Sequence, residues 1–235
     1  MPNHHLARSK TSSRTSECLT VAVLITGALL AWRQLPPAAD VNQPAANVKE
    51  ELTTAEIDLT NRPSLGSQSA RVILLQFTDF HCPFCARFAS DLLPALKSEF
   101  IDPGHLRMVF KHLPLESIHP RAMVAASAAA CAREFGGFWP MHDFLFRSPS
   151  AGDVQILKAA ELAGIDPVAY TNCLRAGPLE PSLDLQEARR LGLEATPAFI
   201  IGTPGDGQRF HIQSRQVGAA LPRLRAAITA ALRRD

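Results

Sequence analysis

Two cysteines separated by two residues, Cys82 and Cys85, are the side chains of this sequence best suited to covalent chemistry. A reduced pair of this kind attacks disulfides through a thiolate, and an oxidised pair accepts electrons from other thiols. The same spacing occurs in inert bridges and in zinc sites, but a structural zinc ion usually takes four ligands from two such pairs. The sequence has no second Cys-x-x-Cys pair. The spacing therefore favours a redox pair, with no metal and no cofactor expected.

The elements around this pair favour a thiolate at Cys82. An apolar run at 71–80 is typical of a strand buried on both faces, and apolar side chains at helical spacing occupy 86–100. Pro83 stands at the start of that helix, where proline is best tolerated. The free N–H groups of a helix start can lower a cysteine pKa to between about 3.5 and 7.5. We therefore expect Cys82 to be the nucleophile and the less exposed Cys85 to resolve the mixed disulfide.

The order of the predicted elements indicates one α/β domain with an inserted helical subdomain. A second strand is predicted at 106–112, and helical patterns broken by glycine and proline fill about 115–192. Two more strands, at 198–201 and 208–212, flank a glycine-rich turn, and a terminal helix is expected at about 217–234.

The N-terminal region has the pattern of an export segment. Basic residues precede an apolar run at about 18–33, which is shorter than the roughly 30 Å hydrocarbon core of a bilayer. We expect residues 1–33 to be a membrane anchor, with a cleaved signal as the alternative. Residues 34–57 are rich in Pro, Ala, Asn and Thr and are expected to form a flexible linker, although 56–60 hints at a short edge strand. Residues 58–235 would then be the folded domain.

The charge of the chain excludes one class of partner. The net charge is only +2, with 24 Lys and Arg against 22 Asp and Glu, and the basic residues are scattered. Proteins that bind nucleic acid carry basic patches or stripes. We therefore expect no nucleic-acid partner.

Several segments, in matching order within residues 60–232, resemble the DsbA-like thioredoxin-fold oxidoreductases. They include Phe77-Thr-Asp-Phe-His-Cys-Pro-Phe-Cys85, Phe110-Lys-His-Leu-Pro114, Phe138-Trp-Pro-Met-His-Asp143 and Ala195-Thr-Pro-Ala-Phe199. The resemblance implies a thioredoxin-like fold with an inserted helical subdomain, a redox-active pair, and a cis-proline loop facing it. It also implies that Thr196 and Pro197 bind substrate through their backbone, as an extended peptide would require.

The residues around the cysteines would tune their chemistry. The strongest oxidants of the resembled family carry histidine where this chain has Phe84, so one donor to the thiolate is absent. His81 is a candidate replacement, and Pro83 lies between the cysteines. Asp79 is either an acid–base group for thiol exchange or a strand-end carboxylate held by backbone donors. His119, in contrast, is expected to be a packing or helix-end residue.

Two further cysteines and the export pattern indicate the compartment in which the protein is expected to work. Cys131 and Cys173 are expected to form a structural disulfide, with two free buried cysteines as the alternative, because disulfides persist in oxidising compartments.

The expected location is periplasmic or extracytoplasmic. The expected function is thiol-disulfide exchange on exported cysteine-containing proteins, in the first place as an oxidase, with a membrane redox partner that recycles the pair. The alternatives are a reductase or isomerase, and a tethered metal-binding or redox-sensing module.

Overall fold

The computed structural model describes residues 53–205 and 209–234. At its centre the strands form a sheet in the order β1-β6-β5-β3-β4-β2. They are β1 (Thr53–Glu56), β2 (Ser64–Leu65), β3 (Val72–Thr78), β4 (Leu106–His112), β5 (Ala198–Pro204) and β6 (Arg209–Val217). β3 pairs in parallel with β4 and antiparallel with β5. The strands predicted before the cysteine pair and at 106–112 are therefore confirmed.

The helical segment after β3 contains two π-helical turns. It runs through α1 (Pro83–Arg87), a π-helical turn (Phe88–Leu92), α2 (Leu93–Leu96) and a second π-helical turn (Lys97–Ile101). Pro94 lies inside α2 and has no N–H to donate, so the regular pattern of bonds cannot continue through it. π-turns of this kind are a common way for a helix to absorb such a break.

Five helices form the inserted subdomain between β4 and β5, as the sequence predicts. They are α3 (Ala122–Glu134), α4 (Phe138–Arg147), α5 (Asp153–Leu162), α6 (Pro167–Ala176) and α7 (Glu180–Arg190). The terminal helix, α8 (Leu221–Leu232), begins later than expected because β6 continues to Val217. Gly218 then turns the chain with a φ of +82°, a conformation that glycine adopts at no steric cost.

The structure tests only part of the predictions for the N-terminal region. Residues 53–56, placed in the flexible linker, instead form β1 and pair antiparallel with β6. The linker assignment of these four residues was wrong because backbone pairing to an open sheet edge does not need an apolar pattern. The proposed anchor at 1–33 and most of the linker lie outside the described residues. Within the described ranges, no helix has the length and apolar character to cross a membrane.

Both faces of β3 are covered, which explains its uninterrupted buried pattern. On one face Leu74 belongs to a cluster with Phe88 and Phe199, whose ring centroids are 4.8 Å apart. On the other face Leu75 packs in a cluster with Ile200. Burying each such side chain stabilises the fold by roughly 1.5–3 kcal/mol. The strand is therefore fixed in the core, and its carboxyl end presents the cysteine segment.

A buried group of charged side chains joins β4 to α7. Lys111 is fully buried, and its Nζ lies 2.8 Å from Glu187 Oε2 and 3.2 Å from Asp184 Oδ1. The guanidinium of Arg62 lies 3.1 Å from the same Asp184 oxygen. The second oxygen of Asp184 accepts the backbone N–H of His112 at 3.0 Å. These contacts fix the last helix of the insertion on the sheet, because an unpaired buried charge costs about 3–5 kcal/mol.

Candidate active site

Cys82 is the residue immediately before α1, at the point where the chain leaves the sheet. Its backbone is extended, with φ −78° and ψ 120°, and Pro83 opens the helix. The Cys82 N–H donates to the carbonyl of Asp79 at 3.1 Å, and the Cys82 carbonyl accepts the N–H groups of Cys85 and Ala86. The turn and the first helical turn therefore fix the sulfur position of Cys82.

The loop before β5 faces this sulfur. The Thr196–Pro197 peptide bond is cis in the structure, and the Cys82 thiol donates to the carbonyl of Thr196 at 3.4 Å. β5 begins directly after Pro197 and pairs with β3, which ends before the cysteine segment. Residues 114 positions apart in the sequence thus meet at one end of two neighbouring strands. The structure brings together the cysteine pair and the two residues expected to bind substrate.

The two cysteines differ sharply in acidity. A hydrogen bond from the Cys85 thiol is the main cause that lowers the pKa of Cys82 to about 5, and the Thr196 hydroxyl and nearby backbone N–H groups add to it against the cost of burial. Burial is the main cause that raises the pKa of Cys85 far above its ordinary value. Cys85 is fully enclosed, whereas Cys82 keeps 5% of its surface exposed. At neutral pH the reduced pair therefore consists of one thiolate and one thiol.

The Thr196 hydroxyl is a donor that the sequence did not single out. Its Oγ1 atom is buried and has no hydrogen-bond partner while Cys82 is a thiol. It is therefore free to donate once Cys82 ionises, which accounts for its effect on the Cys82 pKa. The sequence pointed to the backbone of Thr196 and gave no signal for its side chain.

Asp79 joins the turn before Cys82 to the segment after β4. Its Oδ1 accepts the N–H of His81 at 2.8 Å, and its Oδ2 accepts the N–H of Leu115 at 2.9 Å. His119 Nδ1 lies 2.9 Å from the same Oδ2. Of the two alternatives for Asp79, this geometry corresponds to the carboxylate held by backbone donors. His119, expected to be a packing residue, contacts this carboxylate through Nδ1.

The other expected tuning residues lie on the outer side of the pair. Burial lowers the pKa of His81, whose ring centroid is 6.4 Å from that of His119. Phe84 is 54% exposed, and the Arg87 guanidinium stands 4.6 Å from its ring centroid. Pro83 and Phe84 therefore give the surface beside Cys82 an apolar character.

Cys131 and Cys173 lie on two helices of the inserted subdomain. In the structure they form a disulfide with a Cα–Cα distance of 5.8 Å, which joins α3 to α6. Cys131 is fully buried in the core of the helical subdomain. The bond therefore ties two helices of the insertion together.

One cluster of potential metal ligands exists among the described residues, and it does not include the cysteine pair. His112, Glu180 and Asp184 bring one ligand atom each within 4.8 Å of one another. Their carboxylates are already neutralised, since Asp184 pairs with Lys111 and Glu180 lies 2.5 Å from Arg133 Nε. The donor set is thus that of an ion-pair network and not of a metal site.

The comparisons with known proteins agree with this geometry. A family model described as thioredoxin matches residues 59–217. The chain therefore belongs to the thioredoxin family, and it resembles the DsbA-like thiol-disulfide oxidoreductases in its fold.

Individual relatives fall into two groups. The Na(+)/H(+) antiporter NhaA 3 of Salinispora tropica is 32% identical over 149 residues, which cover 62% of this chain and 22% of that protein. Disulfide bond formation protein D of Bacillus subtilis is 28% identical over 96 residues, covering 41% of this chain and 43% of that one. The chain therefore spans less than half the length of these curated relatives. The solved structure of alpha-DsbA1 from Wolbachia pipientis has a TM-score of 0.62 at 21% identity, covers 75% of this chain and 93% of that one, and shows the shared fold.

Proposed function

We propose that the protein oxidises cysteine pairs in exported proteins. In the first step a substrate thiolate attacks Cys82 Sγ of the oxidised pair, which breaks the Cys82–Cys85 bond and releases Cys85. Cys85 takes up a proton, because burial strongly disfavours its thiolate. In the second step the other substrate thiolate attacks the substrate sulfur of the mixed disulfide and releases Cys82 as a thiolate. The substrate gains a disulfide, and the protein gains the two electrons.

The acidity of Cys82 is the observation that carries this direction. A thiol of lower pKa leaves faster, so a Cys82 pKa of about 5 favours release of the oxidised substrate. At pH 7 the pKa lies about two units below the pH, and the thiolate stabilises the reduced protein by about 3 kcal/mol, at 1.36 kcal/mol for each unit. That free energy shifts the reduction potential by about 60 mV in the oxidising direction.

The cis-proline loop supplies the proposed contact to the substrate backbone. The Thr196 carbonyl lies 3.4 Å from Cys82 Sγ and accepts a hydrogen bond from it only while Cys82 is protonated. A Cys82 sulfur in a disulfide has no proton to donate, so that carbonyl becomes free to accept an N–H group of an extended substrate peptide. The exposed Phe84 ring would contact the same peptide beside the sulfur.

We place this activity outside the cytoplasm, close to a membrane. The Cys131–Cys173 disulfide supports an oxidising compartment. The basic and apolar pattern of residues 1–33 supports export and attachment through about 18–33. The antiporter relatives, in which the matching region is 22% of the chain, support work beside a membrane protein. A membrane redox partner would then reoxidise Cys82 and Cys85.

Two variants and one equilibrium measurement test the proposal. Cys82→Ser should abolish the oxidation of a reduced unfolded protein, because the attacked sulfur is lost. Cys85→Ser should instead accumulate a mixed disulfide with a disulfide substrate, visible by non-reducing gel, because Cys82 still attacks the substrate disulfide and releases one substrate thiolate while no Cys85 thiol resolves the product. A reduction potential near thioredoxin's value of about −270 mV would contradict the oxidase direction and favour the reductase alternative.

A further inference from the structure

Thr78, the last residue of β3, carries a hydroxyl group that is closed off from solvent. The residue is 1% exposed, and its Oγ1 atom has no hydrogen-bond partner while both cysteines are thiols. A buried polar group without a partner destabilises a fold, so native proteins contain few of them and each one requires an explanation. The Thr78 hydroxyl is therefore free to donate to a neighbour whose charge changes during a reaction.

The fold places this hydroxyl opposite the second cysteine of the pair. Side chains alternate along β3, so Thr78 lies on the same face of the sheet as Leu74, which packs in one cluster with Phe88. Cys85 lies three residues before Phe88 in the helical segment and thus on the same side of it. Cys85 is fully buried on this side. Thr78 and Cys85 therefore face each other where β3 ends and the helical segment begins.

The surroundings of the Cys85 sulfur are apolar, and the position of Thr78 is fixed. Cys85 belongs to a cluster with Phe80 and Phe110, whose ring centroids are 5.5 Å apart. The Thr78 carbonyl accepts the N–H of Leu113 at 2.8 Å, and a β-branched side chain in a strand has few rotamers. A charge that forms on the Cys85 sulfur thus meets little polar surface beyond a hydroxyl that is held in one place.

The acidity of Cys85 reflects this contact. Burial is the main cause that raises its pKa, and a hydrogen bond with Cys82 adds to the rise. The backbone N–H of Asp79 and the hydroxyl of Thr78 lower the pKa against both effects. These two donors come from adjacent residues and act on one sulfur atom. The end of β3 thus offers a Cys85 thiolate a pair of fixed donors, as an oxyanion hole offers them to an oxygen.

We propose that Thr78 is a catalytic residue whose hydroxyl stabilises the Cys85 sulfur as that sulfur leaves Cys82. The inference rests on the proposed function, because it requires a thiolate to attack Cys82 of the oxidised pair. The new bond joins the substrate sulfur to Cys82 Sγ, the Cys82–Cys85 bond breaks, and its electron pair stays on Cys85 Sγ. Thr78 donates a hydrogen bond to that sulfur and keeps its own proton. Cys85 then takes the proton that the second substrate thiol must lose before it attacks the mixed disulfide.

Thr78→Val in the oxidised full-length protein tests the first step alone. Valine keeps the shape of threonine and removes the hydroxyl. Reduced glutathione serves as the attacking thiol, and rapid acid quenching followed by alkylation and mass spectrometry measures the initial rate at which the Cys85 thiol appears. That rate should fall about 5-fold, as for the net loss of one hydrogen bond. The decrease is smaller than for an oxyanion hole, because sulfur is a weaker acceptor than oxygen and the Asp79 N–H remains.

The release of Cys82 provides an internal control, because Cys85 takes no part in it. In the Cys85→Ser background, glutathione disulfide converts Cys82 into a mixed disulfide, whose position peptide mapping verifies. Added glutathione then attacks the glutathione sulfur of this mixed disulfide and releases Cys82. Adding Thr78→Val to this background should leave the rate of that reaction unchanged. A purely structural defect would slow both reactions, whereas the proposed role slows only the release of Cys85.

Two further variants and a stability measurement separate the hydroxyl from the shape of the side chain. Thr78→Ser keeps the hydroxyl and should retain most of the wild-type rate of Cys85 release. Thr203→Val makes the same exchange of side chains on β5 and should leave that rate unchanged. The oxidised Thr78→Val protein should unfold in urea at the wild-type midpoint or above it, because the hydroxyl has no other partner to lose.

Several results would overturn the inference while the wild-type protein still reacts with glutathione. One is release of Cys85 at the wild-type rate in Thr78→Val, and another is an equal slowing of both reactions, with or without a lower urea midpoint. A Thr78→Ser variant as slow as Thr78→Val, or an equal slowing by Thr203→Val, would also contradict it. Each of these would leave the proposed function in place. A wild-type protein that oxidises neither glutathione nor a reduced unfolded protein would instead refute the proposed function itself.

Discussion

The reduced and oxidised proteins should exchange their order of stability as the pH changes. The Cys82 pKa is about 5 in the folded protein and about 8.5 in an unfolded chain, so the reduced fold gains free energy where the thiolate forms. Because the folded pKa is depressed, the gain is complete above the unfolded pKa and is lost as the pH falls through the folded pKa. At pH 7 it amounts to about 3 kcal/mol, and at pH 5 it is below about 1 kcal/mol.

The disulfide of the oxidised protein opposes this gain. Closing a loop of four residues lowers the entropy of the unfolded chain, which stabilises the oxidised fold by about 2 kcal/mol in the entropic treatment. The two contributions become equal between about pH 6 and 7. The reduced form should therefore melt higher at pH 7.5, and the oxidised form should melt higher at pH 5. Above about pH 8.5 the buried Cys85, which ionises only in the unfolded chain, destabilises the reduced fold and offsets part of this gain.

Thermal melting of both redox forms between pH 5 and 8 measures the exchange. Each kcal/mol corresponds to about 2–4 °C for a protein of this size. Thr196→Val should move the crossing to higher pH, because it removes a hydroxyl donor to the thiolate and keeps the backbone and shape. Thr203→Val, on β5, is the control and should leave the crossing in place. An oxidised form that melts higher at every pH would refute the thiolate argument.

Three further perturbations address single contacts. Phe84→His adds a donor beside the thiolate and should make the potential against glutathione more oxidising, and an unchanged potential would show that position 84 does not reach Cys82. Replacing Cys131 and Cys173 together with alanine should cost about 4 kcal/mol in urea unfolding, given their separation of 42 residues, with peptide oxidation retained, and a loss of only oxidation would contradict a structural role. Asp184→Asn should cost about 3–5 kcal/mol, because it leaves Lys111 without one of its buried partners, and a stability within error of wild type would show that the network rearranges.

Local sequence patterns were sufficient to predict the strand and the helix start on either side of Cys82. A buried run before Cys82 and a proline after it predicted the strand and helix start that the structure contains. The strand at 106–112 was predicted to the residue, since a glycine turn precedes it and apolar residues fill its centre. The prediction failed where a strand pairs with a distant part of the chain, as for β1, which pairs with β6 across more than 150 residues.

The sequence could not predict contacts between side chains that lie far apart along the chain. Asp79 lies three residues before Cys82, a spacing that fits an acid–base group as well as a structural one. The choice depends on His119 and Leu115, which are 40 and 36 residues away and fill the lone pairs of Oδ2. A carboxylate held by these donors and by the His81 N–H fixes the turn on which Cys82 stands. The acidity of Cys82 likewise depends on Thr196, which no spacing near the cysteines reveals. The reacting groups of this site are thus adjacent in the sequence, and their tuning is set by residues that only the fold brings into contact.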